Sequence, residues 1–191
     1  MHTLENILSF NRQFVEEKQY EQYLTDRFPD KKLAIVTCMD TRLTELLPKA
    51  LNLRNGDAKM IKSAGGIVTQ PFGNIMRSVL VAVYELGAHE VLVIGHYECG
   101  MTGLNADTVV GHMLEKGIPQ ETLETLEHAG INLNRWLRGF DSVQDSVERS
   151  VGIIRNHPLL PPNTPVHGLI IDPTTGRLDL VTDGNEYLAN K

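Results

Sequence analysis

Leu33-Ala34-Ile35-Val36-Thr37-Cys38 and, 58 residues on, Val91-Leu92-Val93-Ile94-Gly95-His96 are the stretches whose reading decides the fold. Each is a short apolar run rich in β-branched residues, without the polar alternation of a half-exposed strand. That pattern predicts strands buried on both faces of a parallel sheet. A further strand is expected at 58–62, introduced by the turn pair Gly56-Asp57 and closed by Ala64-Gly65-Gly66. From Phe72, the residues Ile75, Met76, Val79, Leu80 and Val83 recur at helical spacing, and Gly87 stands where a C-terminal cap would. Strand, helix and strand in this order make a crossover unit.

Towards the C-terminus, Val166–Ile171 and Leu178–Val181 read as two strands joined by Asp172-Pro173-Thr174-Thr175-Gly176, a connection short enough for an antiparallel hairpin. The expected fold class is therefore α/β, a mostly parallel central β-sheet flanked by helices with an antiparallel C-terminal strand. Residues 102–156 read as mainly helical. Asp141 and Gln144 form a variant capping box ahead of Val143, Val147, Val151 and Ile154, and Pro158, Pro161, Pro162 and Pro165 end the run. At the other end Leu4, Ile7, Leu8, Phe14 and Val15 predict an amphipathic helix within an N-terminal helical arm, residues 1–30, which must bury its apolar side on something, such as a partner subunit.

No composition break divides the 191 residues, so a single domain is expected over 1–191. An apolar fraction of 41% with 22% charged residues excludes disordered and fibrous classes. The 18 Lys+Arg against 24 Asp+Glu give a net charge of −6 with no basic run, which argues against nucleic acid and anionic membrane as partners. No secretory pattern is visible in Met1–Asn11 and no apolar run approaches a membrane span. Two cysteines rule out a disulfide framework and suit a reducing cytoplasm, where thiols bind metals or do chemistry.

In an open parallel sheet, ligands bind outside the carboxyl ends of the strands. Cys38 follows the first strand, and His96 and Cys99 follow the third, so the fold alone brings two thiols and an imidazole towards one edge. Zinc prefers such nitrogen and sulfur donors, and three firm ligands leave a fourth position for water or substrate. Two thiolates lower the Lewis acidity of the ion, so a group that orients or deprotonates water is expected nearby. Asp40 is that candidate. In an extended stretch Cys38, Asp40 and Arg42 would share a face, and Arg42 would hold the carboxylate of Asp40 ionised in a bidentate pair.

The spacing Cys38-x-Asp40-x-Arg42 followed by His96-x-x-Cys99-Gly100 resembles the metal-binding signature of the β-class carbonic anhydrases, and the likeness runs over roughly residues 33 to 104. Gly56-Asp57-Ala58, Ala64-Gly65-Gly66, Leu86-Gly87-Ala88 and Cys99-Gly100-Met101 add smaller matches, and the likeness is to the short, compact branch. The resemblance implies one Zn2+ per subunit, a homodimer or higher homo-oligomer, and reversible hydration of carbon dioxide to bicarbonate and a proton. It also implies two positions for Asp40, bonded to zinc in a closed site or released to Arg42 in an open one. The chain departs from the family at Thr41 for Ser, at Lys62-Ser63 for Arg-Asn, and at Tyr97-Glu98 for the Thr and Asp often found there.

Cys38 alone would read as a small buried apolar residue, and only the company of His96, Cys99, Asp40 and Arg42 changes that. His89, His112, His128, His157 and His167 lack such company and read as surface or packing residues. Gly65 and Gly66 precede no Gly-Lys-Ser/Thr ending, so phosphate binding is not indicated. Trp136, with Leu133 and Leu137, reads as core or interface, and the acidic run from Glu115 to Glu127 as a solvated helix face. Two other functions remain open at this point. One is hydrolysis of a related linear molecule, carbon disulfide or carbonyl sulfide. The other is a non-catalytic zinc-binding scaffold, against which the retention of both Asp40 and Arg42 argues.

Overall fold

The structure is a computed structural model that describes residues 2–190. Its elements run α1 (Thr3–Glu16), β1 (Leu33–Cys38), α2 (Leu43–Ala50), β2 (Ala58–Ser63), α3 (Asn74–Tyr84), β3 (Glu90–His96), α4 (Ala106–Glu115), α5 (Gln120–His128), α6 (Leu133–Leu137), α7 (Val143–Arg155), β4 (Val166–Ile171), β5 (Leu178–Thr182) and α8 (Gly184–Ala189). One five-stranded sheet has the order β2-β1-β3-β4-β5. The first four strands pair in parallel and β5 adds to β4 in antiparallel. Expectation and structure agree on this architecture.

The apolar runs divide between the two faces of the sheet, as the two-residue period of a strand requires. On one face Ala34, Val36, Val91 and Val93 meet Met76, Val79 and Ala82 of α3 and Val147, Val151 and Ile154 of α7. On the other, Leu33, Ile35, Leu92 and Ile94 meet Leu43 and Leu47 of α2. Gly95 and Gly168 let α7 lie against β3 and β4, since a Cβ at either would come within 2.8 Å of Val147. Burial of this kind is worth about 1.5–3 kcal/mol per large aliphatic side chain, so the two faces fix the strand ends that carry the site.

Several details differ from the sequence reading. Helix α2 was not anticipated: it has eight residues, carries Pro48, and shows only one i,i+4 pair of buried leucines. Helix α3 starts at Asn74, leaving Phe72 outside it and exposed. The cap of α7 is Ser142 and not Asp141, because the Ser142 hydroxyl accepts from Asp145 N–H at 3.2 Å while Asp141 pairs with Arg138 at 3.3 Å. Gln144, the other half of the expected box, bonds Glu148 instead. Leu133 is buried, but Trp136 stands out into solvent with 71% of its surface exposed, so it is no part of this chain's core. Helix α8, capped by Asp183, has only six residues, too few for a helical period to show in the sequence. Helix α1 forms as expected yet buries no residue, with Leu4, Ile7 and Phe10 all exposed. Among the described residues no helix is long and apolar enough to cross a membrane.

Candidate metal centre

Strands β1 and β3 are neighbours, and their last residues are Cys38 and His96. The turn after β3 brings back Cys99. As a result the donor atoms of Cys38, His96 and Cys99, all buried, lie within 4.8 Å of one another. The two sulfurs are 3.9 Å apart. Two zinc–sulfur bonds of about 2.3 Å meeting at a tetrahedral angle would place them about 3.8 Å apart, whereas a disulfide needs about 2.05 Å. Both thiols are free.

The imidazole of His96 is fully buried, and its Nδ1 lies 2.8 Å from the carbonyl oxygen of Tyr97. A carbonyl only accepts, so Nδ1 carries the proton and Nε2 presents a lone pair. That Nε2 is buried without a hydrogen-bond partner among the described residues. A buried, unsatisfied ring nitrogen is costly unless a ligand completes it, and here it faces two thiols. Burial, reinforced by the neighbouring Cys38, pushes the Cys99 thiol up to about 11. A cation is the partner that would favour its thiolate. The donor set and its spacing therefore fit a tetrahedral metal ion.

Asp40 and Arg42 do meet, but by a route other than the expected extended stretch. The chain turns immediately after β1: Leu43 N–H donates to the Asp40 carbonyl at 3.1 Å, and Arg42 already has helical angles of −61° and −26°. Asp40 Oδ1 caps this turn by accepting from Arg42 N–H at 2.9 Å. The guanidinium then curls back, with Nε 3.1 Å from Oδ1 and Nη2 2.9 Å from Oδ2, a bidentate pair. These hydrogen bonds hold the Asp40 carboxyl well below its usual range, at about 2. Its Oδ2 is 3.8 Å from His96 Nε2, so the carboxylate stands beside the three donors while bound to Arg42.

Two further contacts grip this corner. Glu98 takes both its carbonyl and its carboxylate to Arg42, at 3.1 and 3.3 Å, and adopts a left-handed φ of 54°. Gly66, at φ 63°, lies so close to β1 that a Cβ would meet the backbone of Thr37 and Cys38 at 2.7 Å. No local pattern announces either contact, because both join segments far apart in sequence. The remaining histidines behave as surface or packing residues. His89, His112 and His128 are exposed, the His157 ring lies 5.1 Å from that of Phe72 at a tilt of 59°, and His167 ties β4 to Glu90 at 2.8 Å.

An open α/β sheet with a three-donor metal site at the carboxyl ends of adjacent parallel strands defines the class of protein. Comparison with known proteins narrows it. The carbonic anhydrase family model matches residues 33–178. Two Bacillus subtilis (strain 168) proteins each named "Putative carbonic anhydrase", YvdA and YtiB, are 58% and 56% identical, over 97% and 96% of this chain and 94% and 98% of theirs. The crystal structure of the β-carbonic anhydrase isoform I of Trichomonas vaginalis superposes with a TM-score of 0.87 at 37% identity, covering 96% of this chain and all of that one. The chain belongs to the β-carbonic anhydrase family.

Proposed function

We propose that the protein is a zinc-dependent carbonic anhydrase that hydrates carbon dioxide reversibly to bicarbonate and a proton. The observation that carries this reading is the convergence of Cys38 Sγ, Cys99 Sγ and the unpartnered His96 Nε2 beside an ionised carboxylate held by a cation. Cys38, His96 and Cys99 would hold the ion. When bound, zinc supplies Lewis acidity that brings the ionisation of water down to about pH 7.

The chain's own residues do the rest. Asp40, kept ionised by Arg42, accepts a hydrogen bond from water and fixes its orientation. Arg42 holds the carboxylate in the released position, which in this reading is the working one, and Asp40 as a fourth zinc ligand is the closed alternative. Met101 and Phe140 pack on the apolar cluster that contains both cysteines, a surface suited to an uncharged linear molecule. In this reading the chain acts as one domain with residues 1–30 as an arm, in a cytoplasmic homodimer or larger homo-oligomer. The exposed apolar side of α1 supports that assembly.

Stopped-flow carbon dioxide hydration by the zinc-loaded protein from pH 6.5 to 9 tests the reading. Activity that rises with pH and disappears in Cys99→Ser supports it. Full zinc occupancy with no hydration at any pH overturns it, and turnover of carbon disulfide in its place would redirect the assignment.

A further inference from the structure

The aim of His96 depends on the Tyr97 carbonyl, and nothing in His96 itself sets where that carbonyl points. Its direction follows from the peptide joining Tyr97 to Glu98, and Glu98 sits at a φ of 54°, a conformation that costs a residue with a Cβ. Such a turn keeps its shape only where its surroundings impose it. Arg42 Nη2 donates to the Glu98 carbonyl at 3.1 Å, and Tyr97 N–H donates to the Ile171 carbonyl at 3.1 Å. A third contact comes from further away. The Tyr97 hydroxyl donates to Asp179 Oδ2 at 2.8 Å, and Arg177 Nη2 grips the same oxygen at 3.0 Å. Asp179 belongs to β5, the edge strand, which contributes no donor to the metal cluster.

We propose that Asp179 is a positioning residue for the metal centre: by holding the Tyr97 hydroxyl it fixes the carbonyl that receives His96 Nδ1–H, and so presents Nε2 to the ion. This rests on the metal-centre reading above. Losing a group that orients a ligating histidine typically costs about 10- to 100-fold in metal affinity, and this bond, one step further from the ion, is expected to fall at the lower end of that range.

The test uses the full chain freed of metal, titrated with cobalt(II) and followed by its visible spectrum, together with zinc affinity measured by chelator competition. Tyr97→Phe and Asp179→Ala are each expected to lower zinc affinity about 10-fold and to shift the cobalt bands. The double variant should be no weaker than either single one, because only one bond is lost. A purely structural role would lower the melting temperature and leave the cobalt spectrum alone, which overturns the proposal. Parental affinity in both folded variants does the same. Should Asp179→Ala not fold, Tyr97→Phe, which deletes a single oxygen from a surface ring, carries the same expectation. A parent chain that takes up neither ion fails differently: it removes the metal centre itself.

Discussion

The two strand ends that build the site do so by different means. After β1 the carboxylate is placed locally: Asp40 caps the turn that Arg42 completes, and Arg42 folds back on Asp40 two residues away. After β3 the turn is strained and held from outside, by Arg42 on one flank and by the β4–β5 hairpin on the other. The local end can be read from five consecutive letters. The distant end shows its donors in sequence and hides what aims them.

The largest effects should come from the local end, where each side chain has a direct task. Asp40→Asn keeps the shape and loses the charge, and kcat/KM for hydration is expected to fall by about 10²–10⁴-fold in stopped-flow assays, with zinc content unchanged. Arg42→Lys removes the fork that fits a carboxylate and should cost about 10–100-fold. Because Arg42 also clasps Glu98, this variant should weaken zinc binding too, whereas Asp40→Asn should not. Equal effects of the two on zinc affinity would break the distinction between the ends.

Next comes the ion itself. With the Cys99 thiol raised to about 11, that group is protonated in the metal-free protein at neutral pH. Binding must therefore release at least that proton, and apparent affinity should rise about tenfold per pH unit between pH 6 and 8 for each proton released. Calorimetry in buffers of different ionisation heat counts those protons. The sign for the metal-free fold runs the other way: a raised thiol favours the folded state below the ordinary value of 9.0 and is lost as a stabilising influence as pH climbs through about 11. Asp40 contributes no step in the working range. Its stabilisation is complete above the ordinary 3.8 and disappears only as pH falls through about 2.

These contrasts also explain what could be read in advance. Strands announce themselves through β-branched runs, so β1, β3, β4 and β5 and their parallel or antiparallel sense were legible, and with them the three donors. The Asp40–Arg42 pair was legible as a pair but not as a turn, because α2, which dictates the turn, is short and carries Pro48. Glu98 and Asp179 were illegible for a different reason. Their roles arise from contacts across 56 and 82 residues that only the folded sheet creates. Ser142 was illegible for a local reason: a cap shifted by one position reads equally well on either residue.

A subtler effect is expected from Glu98. Glu98→Gly removes a carboxylate that Arg42 uses and at the same time supplies the residue type best suited to a φ of 54°. Glu98→Ala removes the same carboxylate and keeps the strain. Gly should therefore exceed Ala in chemical-denaturation stability by about 1 kcal/mol, the reverse of the usual order between these residues. The usual order would mean that the turn relaxes freely and that the outer clasps matter little.

The smallest effect sharpens the contrast from the other side. Ser63 lies beside Cys38 in the register of β2 against β1, and its hydroxyl is buried with no partner among the described residues. A buried hydroxyl without a hydrogen bond costs about 1–3 kcal/mol in proteins, partly offset here by the small cavity its removal would leave. Ser63→Ala should therefore raise stability by up to about 1 kcal/mol and leave zinc affinity within about twofold of the parent. The neighbouring strand holds the β1 end through its backbone, Met39 N–H donating to the Ser63 carbonyl at 2.9 Å, so loss of the hydroxyl alone should leave the site unchanged. Loss of zinc affinity in this variant would show that the hydroxyl turns to the Cys38 thiolate once an ion is present. The local end would then depend on a side chain of the neighbouring strand, as the β3 end depends on β5.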